Sequence, residues 1–331
     1  MNTPPKTDAR VPYEQLESAA SLIGRSAGMP EQQAALLGRL LATNDARGVF
    51  SHGTQQAAAY ARQFTSGQLN PTPKPRPVRE TPNSLQMDGD GGLGYFPAYE
   101  GTLRVIEKAL ENGVGVLSTG NHGHFGAAGI YTRLTLEHDL LAFVTSGHQM
   151  SLSPGRPYVT AAGGSPMSFS SPAGEEDSLV VDFGAIHDCY EGDVHRKAIS
   201  LLAPAVVFRG VGLGGICQSW GGFLAGVPYG SPPEERKWAG ANQGALLIAF
   251  RIDLFAEPAE FKRHMDAYIR DVKRLEPVER FDECFMPGGL ESHRERLWKK
   301  EGVPFGEHHR RRLEETARTL EIQLPWEERA E

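Results

Sequence analysis

The amino-acid sequence predicts an α/β fold in which a sheet domain covered by helices is combined with a helical domain formed by both ends of the chain. Apolar residues recur at helical spacing near both termini, whereas short apolar runs alternate with helix-period stretches in the middle. A proline-rich segment separates the first two patterns. We therefore place the helical domain at residues 10–78 together with 255–331, and the sheet domain at residues 79–254.

The N-terminal segment predicts three helices followed by a crossover. The first is indicated by apolar residues at helical spacing, namely Leu16, Ala19, Ala20 and Ile23. Pro30 opens the second, because proline is favoured in a first helical turn. A third helix is expected to begin at Ser51. The run Pro71–Pro77 cannot form the interior of a helix, so we expect it to cross between the domains.

The central segment predicts strands separated by helices. Helical periodicity is present in Thr102–Leu110 and Ala127–Leu136. Short apolar runs rich in β-branched or aromatic residues are typical of strands. Five such runs occur, at Val114–Ser118, Leu140–Val144, Leu179–Val181, Ala205–Phe208 and Leu246–Phe250. This alternation favours a layered domain whose helices cover a sheet.

The C-terminal segment returns to helical patterns. Phe261, Met265, Ile269 and Val272 fall on one helical face, and a charged helix is expected from Glu307 to Leu320. The apolar face needs a partner, and the N-terminal helices are the natural candidates. The histidines at positions 264, 293, 308 and 309 lie among charged residues, so we expect them to face solvent.

Composition and charge restrict the class of protein. The 331 residues are 40% hydrophobic and carry a net charge of −7 with scattered basic residues, which argues against a nucleic-acid surface. The three cysteines form no disulfide or zinc-site spacing. No apolar run reaches the roughly 18 residues of a membrane helix. We expect a cytoplasmic protein that binds neither nucleic acid nor membrane.

The segment Gly210–Gly215 matches the dinucleotide fingerprint G-x-G-x-x-G and follows the apolar run that ends at Phe208. A Rossmann unit also requires an acidic residue after a second strand about 20 positions further on, but this chain has a proline-rich loop there. We therefore expect the glycines to allow close packing of a helix on the sheet. A phosphate-binding turn in another fold remains the alternative.

The first group of residues that could carry chemistry is Asp45–Gly53. A histidine can donate a proton near neutral pH without environmental tuning, so His52 is the candidate acid. The alternative is that Ser51 caps the following helix and that His52 is exposed in its first turn.

Two further groups follow predicted strands. Asn121–Gly129 precedes a helix, so its small residues and free helix-start amides could bind phosphate. Its H-x-H spacing lacks a third ligand, and we expect no metal. Val181–Gly184 and Glu191–Val194 place acids where they could orient a histidine or a ribose hydroxyl, although such residues often only cap turns.

Two of these segments, D-x-R-G-V-x-S-H-G and N-x-x-H-F-G-A-A-G, flank Gly91–Gly94 and resemble the type 2 malate/L-lactate dehydrogenase family. That family includes sulfolactate and ureidoglycolate dehydrogenases and piperideine-2-carboxylate reductase. The resemblance implies a mixed-sheet NAD(P)-binding domain that is not a Rossmann fold. It also implies a helical domain from both chain ends, NAD or NADP as cofactor, and a homodimer with its active site near the subunit interface.

The resemblance also implies roles for individual residues. His52 becomes the proton donor, Ser51 and Asp193 complete a relay, and Arg47 supplies positive charge. In ureidoglycolate dehydrogenase the acid/base role belongs to the histidine matching His124, which is a second candidate here. The implied cofactor contacts are His124, Phe125, Gly126, Ala127, Ala128, Asp182, Phe183, Gly184, Arg209, Pro287, Gly288 and Gly289.

Two departures from the family pattern bear on function. Gln56 stands where the family has arginine, and an amide cannot clamp a carboxylate as a guanidinium does. The connection between Asp193 and Arg209 is shortened. We expect hydride transfer between NAD(P)H and a small 2-oxo or 2-hydroxy acid or a cyclic 2-imino acid. The alternative is a lyase- or cyclase-like member with a reduced cofactor site.

Overall fold

The computed structural model describes residues 3–187, 189–190, 192–230, 236–279 and 281–326. It divides into a helical unit, which comprises the residues up to Thr72 and those from Gly289 onward, and a sheet unit spanning Pro73–Gly288. The structure therefore confirms a helical domain formed by both chain ends. The expected boundaries at 78/79 and 254/255 lie at 72/73 and 288/289 in the structure.

The N-terminal part of the helical unit contains one short strand and three helices. They are β1 (Arg10–Val11), α1 (Tyr13–Ser26), α2 (Glu31–Ala46) and α3 (Ala57–Thr65). The predicted apolar positions, including Leu16, Ile23 and Leu37, are buried. The third helix begins at Ala57 rather than at Ser51, because two 3₁₀ turns, Phe50–His52 and Thr54–Gln56, precede it.

The part of the sheet unit that the structure describes contains a sheet of seven strands. They are β2 (Arg76–Glu80), β3 (Ser84–Asp88), β4 (Val114–His122), β5 (Leu140–His148), β6 (Pro166–Ser171), β7 (Leu179–Gly184) and β8 (Gln243–Arg251). Their order is β2-β3-β4-β8-β5-β6-β7. Only β3 and β4 are parallel among these neighbours, so the sheet is mixed, as the family resemblance implies.

The described residues of the sheet unit form five helices. They are α4 (Tyr95–Asn112), α5 (Gly129–Leu136), α6 (Arg196–Leu202), α7 (Pro204–Ile216) and α8 (Pro258–Val272). The prediction of a strand at Ala205–Phe208 was wrong, since these residues form the start of α7 after Pro204. A run of four apolar residues does not distinguish strand from buried helix, and a proline at the first helical position favours the helix.

The glycines of the fingerprint lie inside α7 and serve packing. A Cβ at Gly210 would lie 2.7 Å from the carbonyl oxygen of Ala185, and one at Gly214 would lie 2.6 Å from that of Ala162. Gly212 faces open space. The expectation of close helix packing is confirmed, although the partners are the backbone after β7 and a 3₁₀ turn (Tyr158–Ala162) rather than the sheet itself.

Helix α8 is fixed within the sheet unit by polar contacts of Asp266 and Lys262. The Asp266 carboxylate accepts hydrogen bonds from the amides of Gly174, Glu175 and Glu176 at 2.9–3.1 Å. Lys262 forms an ion pair with Asp139 at 2.8 Å. These contacts explain why the chain returns to the helical unit only at Gly289, after α8, and not before it.

Helix α6, α7 and the residues that follow, up to Leu224, expose a large apolar surface, which we call the α6–α7 face. Leu202 is 86% exposed and Phe208 is 64% exposed. Across the described residues, no helix by itself has the length and hydropathy of a membrane span. Arg196–Leu202 and Pro204–Ala225 meet that test only as a pair, with a bend of 110° between them.

The chain ends complete the helical unit with α9 (Gly289–Glu301), β9 (Val303–Pro304) and α10 (Glu307–Thr319). Strand β9 pairs antiparallel with β1, so the two ends of the chain share a small sheet. On α10, His309 and Leu313 are buried. The expectation that His309 faces solvent was therefore wrong.

The packing of α7 predicts opposite effects for two glycine substitutions. Gly214→Ala should lower the free energy of unfolding by roughly 1–3 kcal/mol, because the methyl group would overlap the Ala162 backbone. Gly212→Ala should raise it by roughly 0.5–1 kcal/mol, because alanine is the better helix former and has space. Urea unfolding of both variants measures this, and equal effects would contradict the packing role.

Candidate active site

Ser51 and His52 lie in a 3₁₀ turn between α2 and α3. The Ser51 hydroxyl oxygen is 2.9 Å from Nδ1 of His52. The imidazole is partly buried, and burial lowers the pKa of His52 below its usual value. The arrangement in which Ser51 caps a helix and His52 is exposed is therefore not observed. Instead, the hydroxyl contacts a largely neutral imidazole.

The end of α2 holds this turn in place. The Asp45 carboxylate accepts hydrogen bonds from the Thr54 amide at 2.9 Å and from the Thr54 hydroxyl at 2.6 Å. The Asn44 side-chain amide donates to the His52 carbonyl oxygen at 3.0 Å. Gly53 lies between them, and any Cβ there would overlap the Asp45 carboxylate. The position of His52 is thus fixed by two consecutive side chains of α2.

A histidine from the C-terminal helix completes the buried network. His309 Nε2 lies 2.9 Å from the Thr54 hydroxyl oxygen. Burial lowers the pKa of His309 to about 4, and the positive charges of Arg312 and His308 act in the same direction. Burial raises the pKa of Asp45 to about 7, although both hydrogen bonds from Thr54 oppose that rise. This network was not predicted from the sequence, although Leu313 and Ala317 follow His309 at helical spacing and indicate a buried face.

Arg47 and Gln56 both have intramolecular partners. Arg47 Nε donates to the Glu295 carboxylate of α9 at 2.6 Å. Burial raises the pKa of Glu295, but Arg47 and Lys299 outweigh this and hold the pKa below its usual value. Gln56 Nε2 donates to the Ser51 carbonyl oxygen at 2.6 Å and so closes the turn. The charge predicted for Arg47 is therefore shared with a carboxylate.

His122 has a structural role in the second segment. Its Nδ1 contacts the Gly123 carbonyl oxygen at 2.7 Å, and its Nε2 contacts the Thr119 hydroxyl at 2.8 Å. Burial lowers the pKa of His122 to about 4, although hydrogen bonds to the backbone of Gly123 and Thr119 oppose the change. In the part of the chain that the structure describes, no three His, Cys, Asp or Glu residues are grouped to hold a metal ion.

The loop from His124 to Ala128 is tightly fixed. His124 is partly buried and meets Tyr95 edge-on, with ring centroids 6.4 Å apart. Phe125 is buried and stacks on Tyr131 at 5.3 Å. Gly126 has φ +86°, and a Cβ there would collide with the Tyr95 ring. Ala127 and Ala128 are buried immediately before α5.

Several of the predicted cofactor segments of the sheet unit contact strand β7 or the residues that follow it. Asp182 accepts a hydrogen bond from the Gly129 amide at 3.0 Å. The Val180 amide donates to the Pro287 carbonyl oxygen at 2.9 Å, and Gly288 follows. Arg209 precedes Gly210, which packs on Ala185 directly after β7.

The remaining predicted cofactor residues lie at the end of β7 and at the start of α9. Phe183 and Gly184 end the strand, where they pair with Met167 and Pro166 of β6, respectively. Gly289 belongs to the helical unit as the first residue of α9.

The prediction of free amides at the start of α5 was wrong. The Gly129 amide donates to Asp182, and the amides of Ile130 and Tyr131 donate to the carbonyl oxygens of Ala127 and Ala128. A carboxylate at this helix start repels a phosphate. The loop can therefore offer a ligand its small residues and close backbone approach, but not a phosphate site at these amides.

Asp193 is part of a turn before α6. Its carboxylate accepts a hydrogen bond from the Tyr190 amide at 2.7 Å, and its own amide donates to the Tyr190 carbonyl oxygen at 3.0 Å. This is the turn-capping role that sequence analysis left open. The relay from Asp193 to His52 stays a prediction. Arg209 is exposed on α7.

The fold of this chain matches that of a known malate dehydrogenase, and its sequence matches a family model. The structure of malate dehydrogenase from Pyrococcus horikoshii OT3 matches with a TM-score of 0.82 over 98% of this chain and 99% of that one, at 22% identity. A family model described as malate/L-lactate dehydrogenase matches residues 11–187 and 188–314. The chain belongs to the malate/L-lactate dehydrogenase family. It is accordingly an oxidoreductase of the dehydrogenase class that uses a nicotinamide cofactor.

Curated relatives extend over nearly the whole chain. The L-sulfolactate dehydrogenase of Methanocaldococcus jannaschii is 26% identical over 90% of this chain and 93% of its own length. The ureidoglycolate dehydrogenase (NAD(+)) of Escherichia coli K12 is 25% identical over 84% of this chain and 87% of its own length. The resemblance inferred from the two sequence segments is therefore confirmed.

The buried Asp45 predicts a pH-dependent stability difference. Its pKa rises from 3.8 to about 7 on folding, so the native state binds more protons between these values, and stability falls as pH rises from 4 to 7. Asp45→Asn removes the buried charge and keeps an acceptor for Thr54. Between pH 4 and pH 8 it should gain roughly 2–4 kcal/mol in unfolding free energy relative to the parent.

The matched control for this measurement is Glu315→Gln, which removes an exposed carboxylate from α10. Its difference from the parent should change by less than about 0.5 kcal/mol over the same pH range. Denaturant unfolding at several pH values gives both differences. A pH-independent difference for Asp45→Asn would show that the carboxylate is not strained by burial.

Proposed function

We propose that the protein transfers a hydride between NAD(P)H and a small 2-oxo or 2-hydroxy acid or a cyclic 2-imino acid, and that His52 supplies the accompanying proton. The contact of Ser51 with a partly buried, predominantly neutral imidazole carries this proposal. The relatives named for sulfolactate and ureidoglycolate support the substrate class, because both names denote 2-hydroxy acids.

Reduction adds a hydride to the substrate carbon and a proton to its oxygen or nitrogen. Protonated His52 donates that proton and becomes neutral, and in the oxidation direction neutral His52 accepts it. Ser51 orients the imidazole through Nδ1. Because burial lowers the pKa of His52, the protonated form is a stronger acid than a solvent-exposed histidine. Asp193 is proposed to assist the relay, and His124 is the second candidate for the acid.

The described residues of the sheet unit fit a nicotinamide dinucleotide. Asp182 offers a carboxylate that can accept hydroxyl donors as it accepts the Gly129 amide, and Gly126, Ala127 and Ala128 place only small side chains in the loop before Gly129. We propose His124–Ala128, Asp182–Gly184, Arg209 and Pro287–Gly289 as the residues that bind it. When bound, the nicotinamide ring carries the hydride. We propose NAD or NADP as the cofactor and the cytoplasm as the location of the protein.

A lyase- or cyclase-like activity with a reduced cofactor site is the second candidate. The shortened connection between Asp193 and Arg209 favours it, because this connection precedes α7 and its Arg209. Calorimetric titration with NADH and NADPH separates the two functions. Binding of either cofactor supports hydride transfer, and no heat with both would favour the non-redox candidate.

We also propose that the protein is a homodimer that associates through the α6–α7 face. Its exposed apolar side chains include Leu201, Leu202, Val206, Phe208, Phe223 and Leu224, each at least 45% exposed. Monomeric proteins rarely leave so many apolar side chains uncovered on neighbouring segments, and such surfaces mark association sites. A second copy of the chain presents the same surface, which suits a two-fold interface.

The proton-donor role predicts a selective loss of turnover. His52→Ala should lower the reduction rate by roughly 10²- to 10⁴-fold, because the proton must then come from water. The affinity for NADH, measured by nicotinamide fluorescence titration, should change by less than about threefold. His124→Ala, assayed in parallel, tests the second candidate. Equal loss of cofactor binding and turnover in His52→Ala would contradict the assignment.

The homodimer proposal predicts that Phe208→Glu disrupts association. A charge placed in an apolar interface is poorly solvated, so this variant should sediment as a 36.1 kDa monomer at concentrations where the parent is a dimer. Phe255→Glu is the matched control, because Phe255 is 83% exposed outside the α6–α7 face. Sedimentation velocity checks both. A Phe208→Glu variant that stays dimeric would rule out this face as the interface.

A further inference from the structure

A second arginine lies against the turn that carries Ser51 and His52. Gly48 has φ +78°, and a Cβ there would be 2.7 Å from Nη1 of Arg294 and 3.2 Å from its Cδ. The guanidinium of α9 therefore packs directly on the backbone that enters the turn. The positive φ at position 48 favours glycine, and the absence of a side chain there leaves room for the Arg294 guanidinium.

Aromatic rings hold the Arg294 side chain in place. The guanidinium carbon lies 5.4 Å from the centroid of the Trp298 ring. The Trp298 ring in turn stacks on Phe50 with centroids 6.0 Å apart and planes inclined by 30°. Phe50 directly precedes Ser51. The column Arg294–Trp298–Phe50 therefore fixes a positive charge beside the turn, with little rotamer freedom left to lose on binding.

The charge of Arg294 is short of a counter-ion. Arg47 is paired with Glu295, and Gln56 is bonded to the Ser51 carbonyl oxygen. Within the described part of the chain, Arg294 makes neither an ion pair within 4.0 Å nor a hydrogen bond. Burial lowers the pKa of Arg294, and the more distant Glu291 opposes this only in part. A partly buried guanidinium that has no carboxylate partner in the described residues is available to bind an anion.

We infer that Arg294 binds the carboxylate of the substrate, the role that Gln56 cannot perform. A guanidinium offers a carboxylate two parallel charge-assisted hydrogen bonds, which a glutamine amide cannot supply. The inference rests on the proposed function, and it assigns recognition of the substrate's acid group to α9. Arg47 is less suited to this role, because Glu295 already occupies its Nε.

Steady-state reduction kinetics with a panel of three- to six-carbon 2-oxo acids test this assignment. For the acid that is reduced fastest, Arg294→Gln should raise KM by roughly 10- to 100-fold and change kcat by less than about threefold. Arg294→Lys should fall between the parent and Arg294→Gln, because it keeps the charge but loses the planar fork. NADH affinity should be the same in all variants.

Lys300→Gln is the matched control, since it removes an exposed positive charge from the same helix. Its KM should equal that of the parent. A merely structural role for Arg294 would reduce kcat and stability without a selective change in KM for acids. The amide of the best acid gives a second check, because Arg294→Gln should abolish the preference for the acid over its amide.

The outcomes separate this inference from the proposed function. If the parent reduces a 2-oxo acid and Arg294→Gln keeps its KM within twofold, the inference is overturned and the function stands. If the parent reduces no acid with either cofactor, the proposed function fails. Calorimetry with oxamate, an unreactive analogue of a 2-oxo acid, then decides the inference. Binding weakened at least tenfold by Arg294→Gln supports it, whereas absent or unchanged binding overturns it.

Discussion

The buried carboxylate of Asp45 is the constraint on which the histidine-bearing turn depends. It lies at the end of α2, where its Oδ2 accepts both hydrogen bonds that Thr54 donates, while its Oδ1 has no partner among the described residues. Because a buried polar group is costly without hydrogen bonds, the chain must return to Asp45 after Gly53. The chain makes this return through two 3₁₀ turns, Phe50–His52 and Thr54–Gln56, and His309 connects the same network to α10.

The sheet unit is organised by a different element, the edge strand β7. The Asp182 side chain of β7 accepts a hydrogen bond from Gly129 at the start of α5. The Val180 amide of the same strand donates to the Pro287 carbonyl oxygen. Helix α7 approaches the residues after the strand because Gly210 carries no side chain. Segments separated by more than 150 residues are thus brought to one strand, which is why the proposed cofactor residues are scattered in the sequence.

The sequence predicted the parts of the fold that local patterns encode. Short apolar runs identified β4, β5, β7 and β8, and the two segments around His52 and His124 identified the family. The run Ala205–Phe208 was misassigned because four apolar residues fit a helix as well as a strand. Strand β6 was missed because its serines mask the alternation. Asp45, His309 and Arg294 could not be assigned, because their roles depend on contacts between distant segments.

The pH dependence of kcat/KM in both reaction directions tests most directly whether the histidine in this turn transfers the proton. Reduction requires the protonated imidazole and oxidation the neutral one, so the account predicts opposite profiles with one shared inflection below about 6.5. The inflection should persist in Asp45→Asn, which leaves His52 in place. A profile without this inflection, or one that survives in the residual activity of a His52→Asn variant, would contradict the account.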